Sequence, residues 1–355
     1  MLRPRSRLRS RLRSIGLVML ALAAFTTTPG FARDPALRYA GVNLAGAEFN
    51  SAKKPGTLYK DYLYPADADY AYFAAQGMNI IRLPFLWERL QPQANGDFDA
   101  DQLGLLHTAV ERAKSHGQKL ILDVHNYAKY QGQRIGSDEV PVAAFADLWK
   151  RLANEFKGDD AVIFGLMNEP NALTAPAWAA MAQSAIEAIR GTGAGNLILV
   201  PGTAYSGAHS WLSAAAGGGT SNGQALLATI RDPSNRIAFE VHQYLDQNSS
   251  GTSGQCVSAS VGRERLRAFT DWLRSNGKVG FLGEFGVGTD ATCLSALDDM
   301  LSFIADNGDV WLGWSYWAAG AWWKSDYPFN VQPGKDGSDK AQTPILSRHA
   351  KQISD

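Results

Sequence analysis

The chain has 355 residues, 45% hydrophobic and 19% charged, which excludes a disordered polymer and leaves room for one large α/β barrel or two average domains. Its 34 basic and 34 acidic residues balance, but six Arg lie within residues 1–32, which hold no acid. Removing those six leaves 28 basic against 34 acidic residues, a net of −6, and a mildly acidic surface argues against nucleic acid as a partner.

Residues 1–32 read as a signal peptide. Six Arg precede an apolar stretch from Ile15 to Phe25 that is too short to span a bilayer, and small residues then lead to a cleavage point after Ala32. No paired Arg precedes the apolar stretch, so the general export route is expected. The expected location is secreted and extracellular, with the periplasm as an alternative. No later run approaches a membrane span, so no membrane contact is expected after leader removal, and the mature chain is read as a monomer.

From residue 39 onward, short β-rich runs alternate with segments of helical spacing. The runs are YAGVNLAG (39–46), NIIRLPF (79–85), KLILDVHNY (119–127), VIFGLMNEP (162–170), NLILVPGT (196–203), IAFEVHQYL (237–245), VGFLGEFGV (279–287) and VWLGWSYWA (310–318). They are apolar on both faces, as a parallel sheet covered by helices requires. Helical pieces lie between them at 144–156, 178–191 and 263–277, with Gly191 and Gly277 placed where a helix end favours a residue tolerant of positive φ. Eight such units predict an α/β fold, a (β/α)8 TIM barrel forming one domain over residues 34–355. A doubly wound open sheet is disfavoured because no Gly-rich phosphate loop follows the first strand. The Gly/Ser-rich stretches 214–223 and 248–254 read as long loops.

Such a barrel places function at the carboxyl ends of its strands. Those ends are unusually polar: Arg82 on the second strand, His125 and Tyr127 on the third, Asn168 and Glu169 on the fourth, His242 and Tyr244 on the sixth, Glu284 on the seventh, and Trp317 on the eighth. A single Glu at a strand end is more often a solvated or ion-paired residue, and a lone His more often a satisfied core residue. Two carboxyls converging from the fourth and seventh strands can instead hydrolyse a glycosidic bond, one as nucleophile and the other as general acid and then base. The acid must hold a proton near neutral pH while the nucleophile stays charged. Arg82 and Tyr244 could hold Glu284 ionised, and Glu169, beside neutral Asn168, is the better proton donor. A zinc site from His125, His209 and His242 is disfavoured, since no HxH or HExxH spacing exists. No metal and no organic cofactor are expected.

Aromatic faces can stack on sugar rings. Trp317 is the first candidate, Trp211 and Tyr127 are candidates for more distant subsites, and Trp87, Trp178, Trp322 and Trp323 are further candidates for the cleft wall. Trp149, Trp272, Trp311 and Trp314 have core spacing and read as packing. The two cysteines, Cys256 and Cys293, lack metal-type spacing, and in an oxidising compartment a disulfide between them would contribute about 3–4 kcal/mol through loop closure. Two free thiols are the alternative.

The segments IRLPFLWERLQP, LDVHNYAKYQG, GLMNEPN, VHQYLD, GEFGV and WSYWAAG, in this order, resemble glycoside hydrolase family 5 (cellulase family A), and among its branches the secreted endo-β-1,4-glucanases. The resemblance implies a retaining cellulase that cuts internal bonds of a β-1,4-glucan. Glu169 would be the acid/base, Glu284 the nucleophile, Asn168 a donor to the sugar 2-hydroxyl and Trp317 the platform beneath that sugar. Arg82, His125, His242 and Tyr244 would support the carboxylates or bind the same sugar. Many relatives have His directly after the NEP motif where this chain has Asn171, so any contact of that His is not carried over. Mannan, xylan or a mixed-linkage glucan would need the same barrel and carboxylates, and a barrel that only binds carbohydrate is the reading from another class.

Overall fold

The computed structural model describes residues 37–353 and the first two residues, so the leader proposed for residues 1–32 lies almost wholly outside the described residues. Among the described residues, eight parallel strands close into a barrel. They are β1 (Tyr39–Leu44), β2 (Ile80–Phe85), β3 (Lys119–Val124), β4 (Val162–Gly165), β5 (Ile198–Pro201), β6 (Ile237–His242), β7 (Gly280–Glu284) and β8 (Trp311–Ala319). Each pairs with its neighbour in sequence, and β8 returns to β1 with Tyr39 opposite Gly313. The expected barrel is present, with seven strands inside the run assigned to them from sequence and β8 ending one residue beyond its run, at Ala319.

The helices α1 (Asp67–Ala75), α2 (Ala100–Ser115), α3 (Val142–Phe156), α4 (Ala175–Arg190), α5 (Asn222–Thr229), α6 (Val261–Ser275), α7 (Ala291–Asp306) and α8 (Thr343–Lys351) follow the strands in turn. Four of their starts are set by side chains that accept from otherwise unpaired amides: Asp99 from Gln102, Thr174 from Ala177, Ser221 from Gln224 and Asp290 from Cys293. Helix α3 buries Phe145, Leu148, Trp149, Leu152 and Phe156, a spacing of three and four that lays one stripe on the barrel. The loop expected at 214–223 ends inside α5, whose first residue is Asn222. At the helix ends, Gly277 has φ +61° as expected, but Gly191 does not. Gly191 continues the helical backbone at φ −60°, and Gly193 takes the left-handed position at φ +85°.

The inside of the barrel is layered. Ile80, Ile121, Ile163, Leu199, Ala238, Phe281 and Leu312 form one apolar cluster, separate from the larger core between strands and helices. Two residues further along the strands, and so on the same face, come Arg82, Asp123 and Glu240, all 1% exposed or less. The period of two thus carries β2, β3 and β6 from a packed plug to a charged layer, and that layer is the floor of the site.

Cys256 and Cys293 form the expected disulfide, with Cα atoms 5.2 Å apart and a sequence separation of 37. It ties the loop after β6 to the first turn of α7.

Candidate active site

Arg82 is fully buried at the centre of the charged layer. Its Nη1 donates to Glu284 Oε1 at 2.8 Å and to Asn43 Oδ1 at 2.9 Å, and its Nη2 donates to Asn168 Oδ1 at 2.9 Å. Ion-pair contacts reach Asp123 at 3.1 Å and Glu240 at 3.0 Å. Burial opposes the charge, but Asp123, Glu240 and Glu284 outweigh it and hold the guanidinium protonated.

Glu284 arrives here through a break in register. On the β6–β7 pair, Val241 faces Leu282 but His242 faces Glu284, so Gly283 is the extra residue. A Cβ at position 283 would lie 2.1 Å from Glu240 Oε1, which explains the glycine. The bulge turns Glu284 inward, where Tyr244 Oη donates to its Oε2 at 2.8 Å and His242 Nδ1 lies 3.5 Å away. Burial pushes the Glu284 carboxyl up, while His242 and Arg82 pull it down and Glu169 pushes it up. Tyr244 is driven well above the ordinary phenol range, first by burial and then by Glu284, so it stays a hydrogen-bond donor.

Glu169 sits just beyond β4 with φ +42°, a left-handed conformation that costs about 1 kcal/mol for a side chain of this kind. The turn swings its carboxyl across the barrel mouth, and His242 Nδ1 meets Glu169 Oε1 at 2.9 Å. Burial opposes protonation of His242, but Glu284, Glu169 and Glu240 push its pKa up to about 10, so it is a cation lying between the two acids. One oxygen of Glu169, one of Glu284 and a ring nitrogen of His242 all lie within 4.8 Å of one another. The same atoms could ligate a cation only in place of the His242 ring proton. Two carboxyls at this separation, in unlike surroundings, also have the spacing that glycoside hydrolysis with retention requires, for which about 5–5.5 Å is usual.

The remaining candidates divide cleanly. Asn168 is buried, and its Nδ2 has no partner among the described residues, leaving a donor at the mouth. His125 Nδ1 lies 2.7 Å from Asp123 Oδ2, and its ring stacks on Trp317 at 5.5 Å and 16°. Burial lowers the pKa of His125, but Asp123 more than compensates and the net direction is up. Tyr127 has φ +54° and 37% exposure, and its hydroxyl lies 3.4 Å from His125 Nε2, so it belongs to the mouth itself and not to a distant subsite. His209 meets Gln243 instead of the other two histidines, and Asn171 makes only a local bond to the Glu169 carbonyl.

Trp211 is the clear miss. It is 0% exposed and packs edge-on against Phe239, Phe269 and Trp272, at 5.9, 4.9 and 5.5 Å. The 3₁₀ turn Ala208–Ser210 points it between strand and helix, leaving Tyr205, 57% exposed, at the surface of that loop. Trp87 and Trp178 are likewise fully buried, whereas Trp322 and Trp323 do line a cleft. Trp149, Trp272, Trp311 and Trp314 pack as expected. Trp211→Ala should therefore destabilise the fold by about 3–5 kcal/mol in denaturant titration while leaving the KM for oligosaccharides unchanged. A raised KM with undiminished stability would restore it to the site.

Asn43, Asp123 and Glu240 were not singled out from sequence. The signal available was spacing: Asp123 precedes His125 by two, and Glu240 precedes His242 by two, on the same inward face. Glu48, just after β1, also faces this region, and burial pushes its carboxyl up to about 7 although the nearby His125 pulls it down.

Two clefts lie at or beside the mouth. One, of about 430 Å³, is lined by Glu169, His242, Tyr205, His209 and Asn248. The other, of about 640 Å³, is lined by Phe49, Trp322, Trp323 and Tyr327. It adjoins Trp317, whose Nε1 donates to Tyr327 Oη at 3.0 Å.

Residues 42–320 match the family described as Cellulase (glycosyl hydrolase family 5). A probable endo-beta-1,4-glucanase B of Neosartorya fischeri is 38% identical over 320 residues, 89% of this chain and 93% of that protein. Endo-beta-1,4-glucanase A of Emericella nidulans is 38% identical, over 91% of this chain and 94% of that protein. The crystal structure of a triple mutant of the Xanthomonas axonopodis pv. citri endo-beta-1,4-glucanase superposes with a TM-score of 0.88 at 62% identity, covering 89% of this chain and 100% of that one. XacCel5A in complex with cellopentaose gives 0.87 at 63% identity, covering 88% of this chain and 99% of that one.

Proposed function

Because the chain belongs to the cellulase family, glycosyl hydrolase family 5, we propose that the carboxyl pair of Glu169 and Glu284 is its catalytic machinery. The protein is an endo-β-1,4-glucanase that hydrolyses internal bonds of a β-1,4-glucan with retention. The observation that carries the residue assignment is the 4.8 Å grouping of the two carboxyls around His242.

Glu284 is the nucleophile because it accepts from Arg82 and Tyr244 and also faces His242, all of which favour its charged form. Three groups biased toward positive charge, Arg82, His125 and His242, face four carboxyls, Asp123, Glu169, Glu240 and Glu284. Glu169, at the edge of the cleft, takes the acid/base role in this reading. In the first step a Glu284 oxygen bonds to the anomeric carbon as the bond to the departing sugar oxygen breaks and Glu169 passes its proton to that oxygen. In the second, Glu169 removes a proton from water, the water oxygen bonds to the anomeric carbon, and Glu284 leaves as carboxylate. Asn168 supplies its free Nδ2 to the 2-hydroxyl, and Trp317, held by His125 and Tyr327, lies beneath the ring. The cleft beside Glu169 then takes the leaving part of the chain, and the cleft beside Trp317 takes the part that becomes covalently bound.

Release of reducing sugar from carboxymethylcellulose, mannan and xylan in parallel tests the substrate, with the first expected to be fastest. A clear preference for mannan or xylan would overturn it. The pH profile tests the electrostatics. Rate requires Glu284 as an anion, so activity is lost as pH falls through its raised pKa, and the acidic limb of kcat/KM should lie above the ordinary carboxylate value. His242→Gln removes a cation that pulls that pKa down, so the limb should move up by about one pH unit. A limb that stays put or moves down would contradict the charge placement. We also read the Arg-rich start as an export leader and the mature protein as an extracellular monomer. Among the described residues no helix is long and apolar enough to cross a membrane.

A further inference from the structure

The wall of the larger cleft is held from behind by one buried cation. A single helical turn, Trp87–Leu90, follows β2 and carries Arg89, which is 2% exposed. Its hydrogen bonds all end on backbone carbonyls of the segment between β1 and α1. Nη1 donates to Ala47 at 2.6 Å, Nη2 to Phe49 at 2.6 Å, and Nε to Pro55 at 2.9 Å, with 3.4 Å contacts to Asn50 and Lys53. The guanidinium also lies 3.9 Å over the ring of Tyr62. Five carbonyls drawn to one fork fix the path of residues 47–55, which form no helix or strand of their own.

That path decides where Phe49 stands. Phe49 meets Trp323 edge-on at 4.9 Å, Trp323 stacks on Tyr327 at 4.1 Å, and Tyr327 accepts from Trp317. A continuous line of contacts therefore runs from the buried cation to the aromatic platform beside the nucleophile. We propose that Arg89 is a positioning residue that sets how firmly the Trp323 side of the cleft grips a glucan, and so where along a short chain the cut falls. This rests on the endoglucanase reading. Arg89 touches no sugar and acts through the loop. Lysine could not replace it, because one ammonium cannot span carbonyls that the planar fork reaches together.

Wild type, Arg89→Lys and Phe49→Ala would be given cellopentaose labelled with ¹⁸O at its reducing end, with products read by mass spectrometry. Both variants should lower kcat/KM about tenfold with kcat within about threefold, and should shift cleavage toward registers that place fewer glucose units on the Trp323 side. A loss of thermal stability that slows every register alike, or an unchanged product ratio in folded Arg89→Lys, would overturn the proposal. If Arg89→Lys does not fold, Phe49→Ala decides: a shifted ratio supports the held wall and an unchanged one removes it. Folded wild type that leaves cellopentaose uncut would count instead against the endoglucanase reading.

Discussion

Glu284→Gln is expected to lower kcat on cellulosic substrates by about 10⁴-fold or more without unfolding the chain. An amide is nearly isosteric, and its one oxygen can keep either the Arg82 or the Tyr244 bond, so the pocket keeps its size while losing one of the two. What it loses is the negative charge that attacks the anomeric carbon. The fold survives because Arg82 keeps Asp123 and Glu240 as counter-charges at 3.1 and 3.0 Å. An activated 2-fluoro cellobioside should label the wild type on the peptide carrying Glu284 and leave the variant unlabelled. Near-normal rates in a folded variant, or a label on another residue, would end the assignment.

Glu169→Ala should cost about 10²–10⁴-fold on cellulose, where the departing sugar needs a proton. The loss is expected to depend on the leaving group in a way that Glu284→Gln cannot match. With an aryl cellobioside whose phenol leaves unaided, the first step should be nearly normal and the covalent intermediate should accumulate, seen as a burst of phenol. Azide, which needs no general base, should then restore turnover and give a β-glycosyl azide, because two inversions return the original configuration. An absent burst, or an α-configured product, would remove Glu169 from the acid/base role. His242 makes the experiment sharper. Its Nδ1 meets both acids, at 2.9 and 3.5 Å, so the Ala variant leaves that nitrogen facing Glu284 and removes the charge that pushes Glu284 up, and the acidic limb should move down in pH.

The two variants also separate contributions that a single loss of activity would merge. Removal of the nucleophile abolishes the intermediate, whereas removal of the acid/base traps it. The distinction follows from the opposed surroundings of two residues of the same type, one buried among donors and one at the edge of a cleft.

By itself the sequence determined the barrel and pointed to the carboxyl pair. Eight apolar runs broken by helical spacing admit few folds, and polar residues that interrupt buried runs at strand ends are expensive unless they are used. What it could not settle were matters of direction. Trp211 lies in a loop at the mouth side, and nothing in its neighbourhood indicates that a 3₁₀ turn sends it inward to Phe269 and Trp272. Gly191 and Gly193 are both plausible helix ends, and only the backbone chose the second. The inward bulge at Gly283, the charge network joining Arg82 to three carboxylates, and the loop gathered around Arg89 all depend on groups tens to hundreds of residues apart. Period and composition are local properties and survive in the chain as written, whereas side-chain direction, mutual charge and the shape of a cleft exist only once distant segments share a dielectric and a surface.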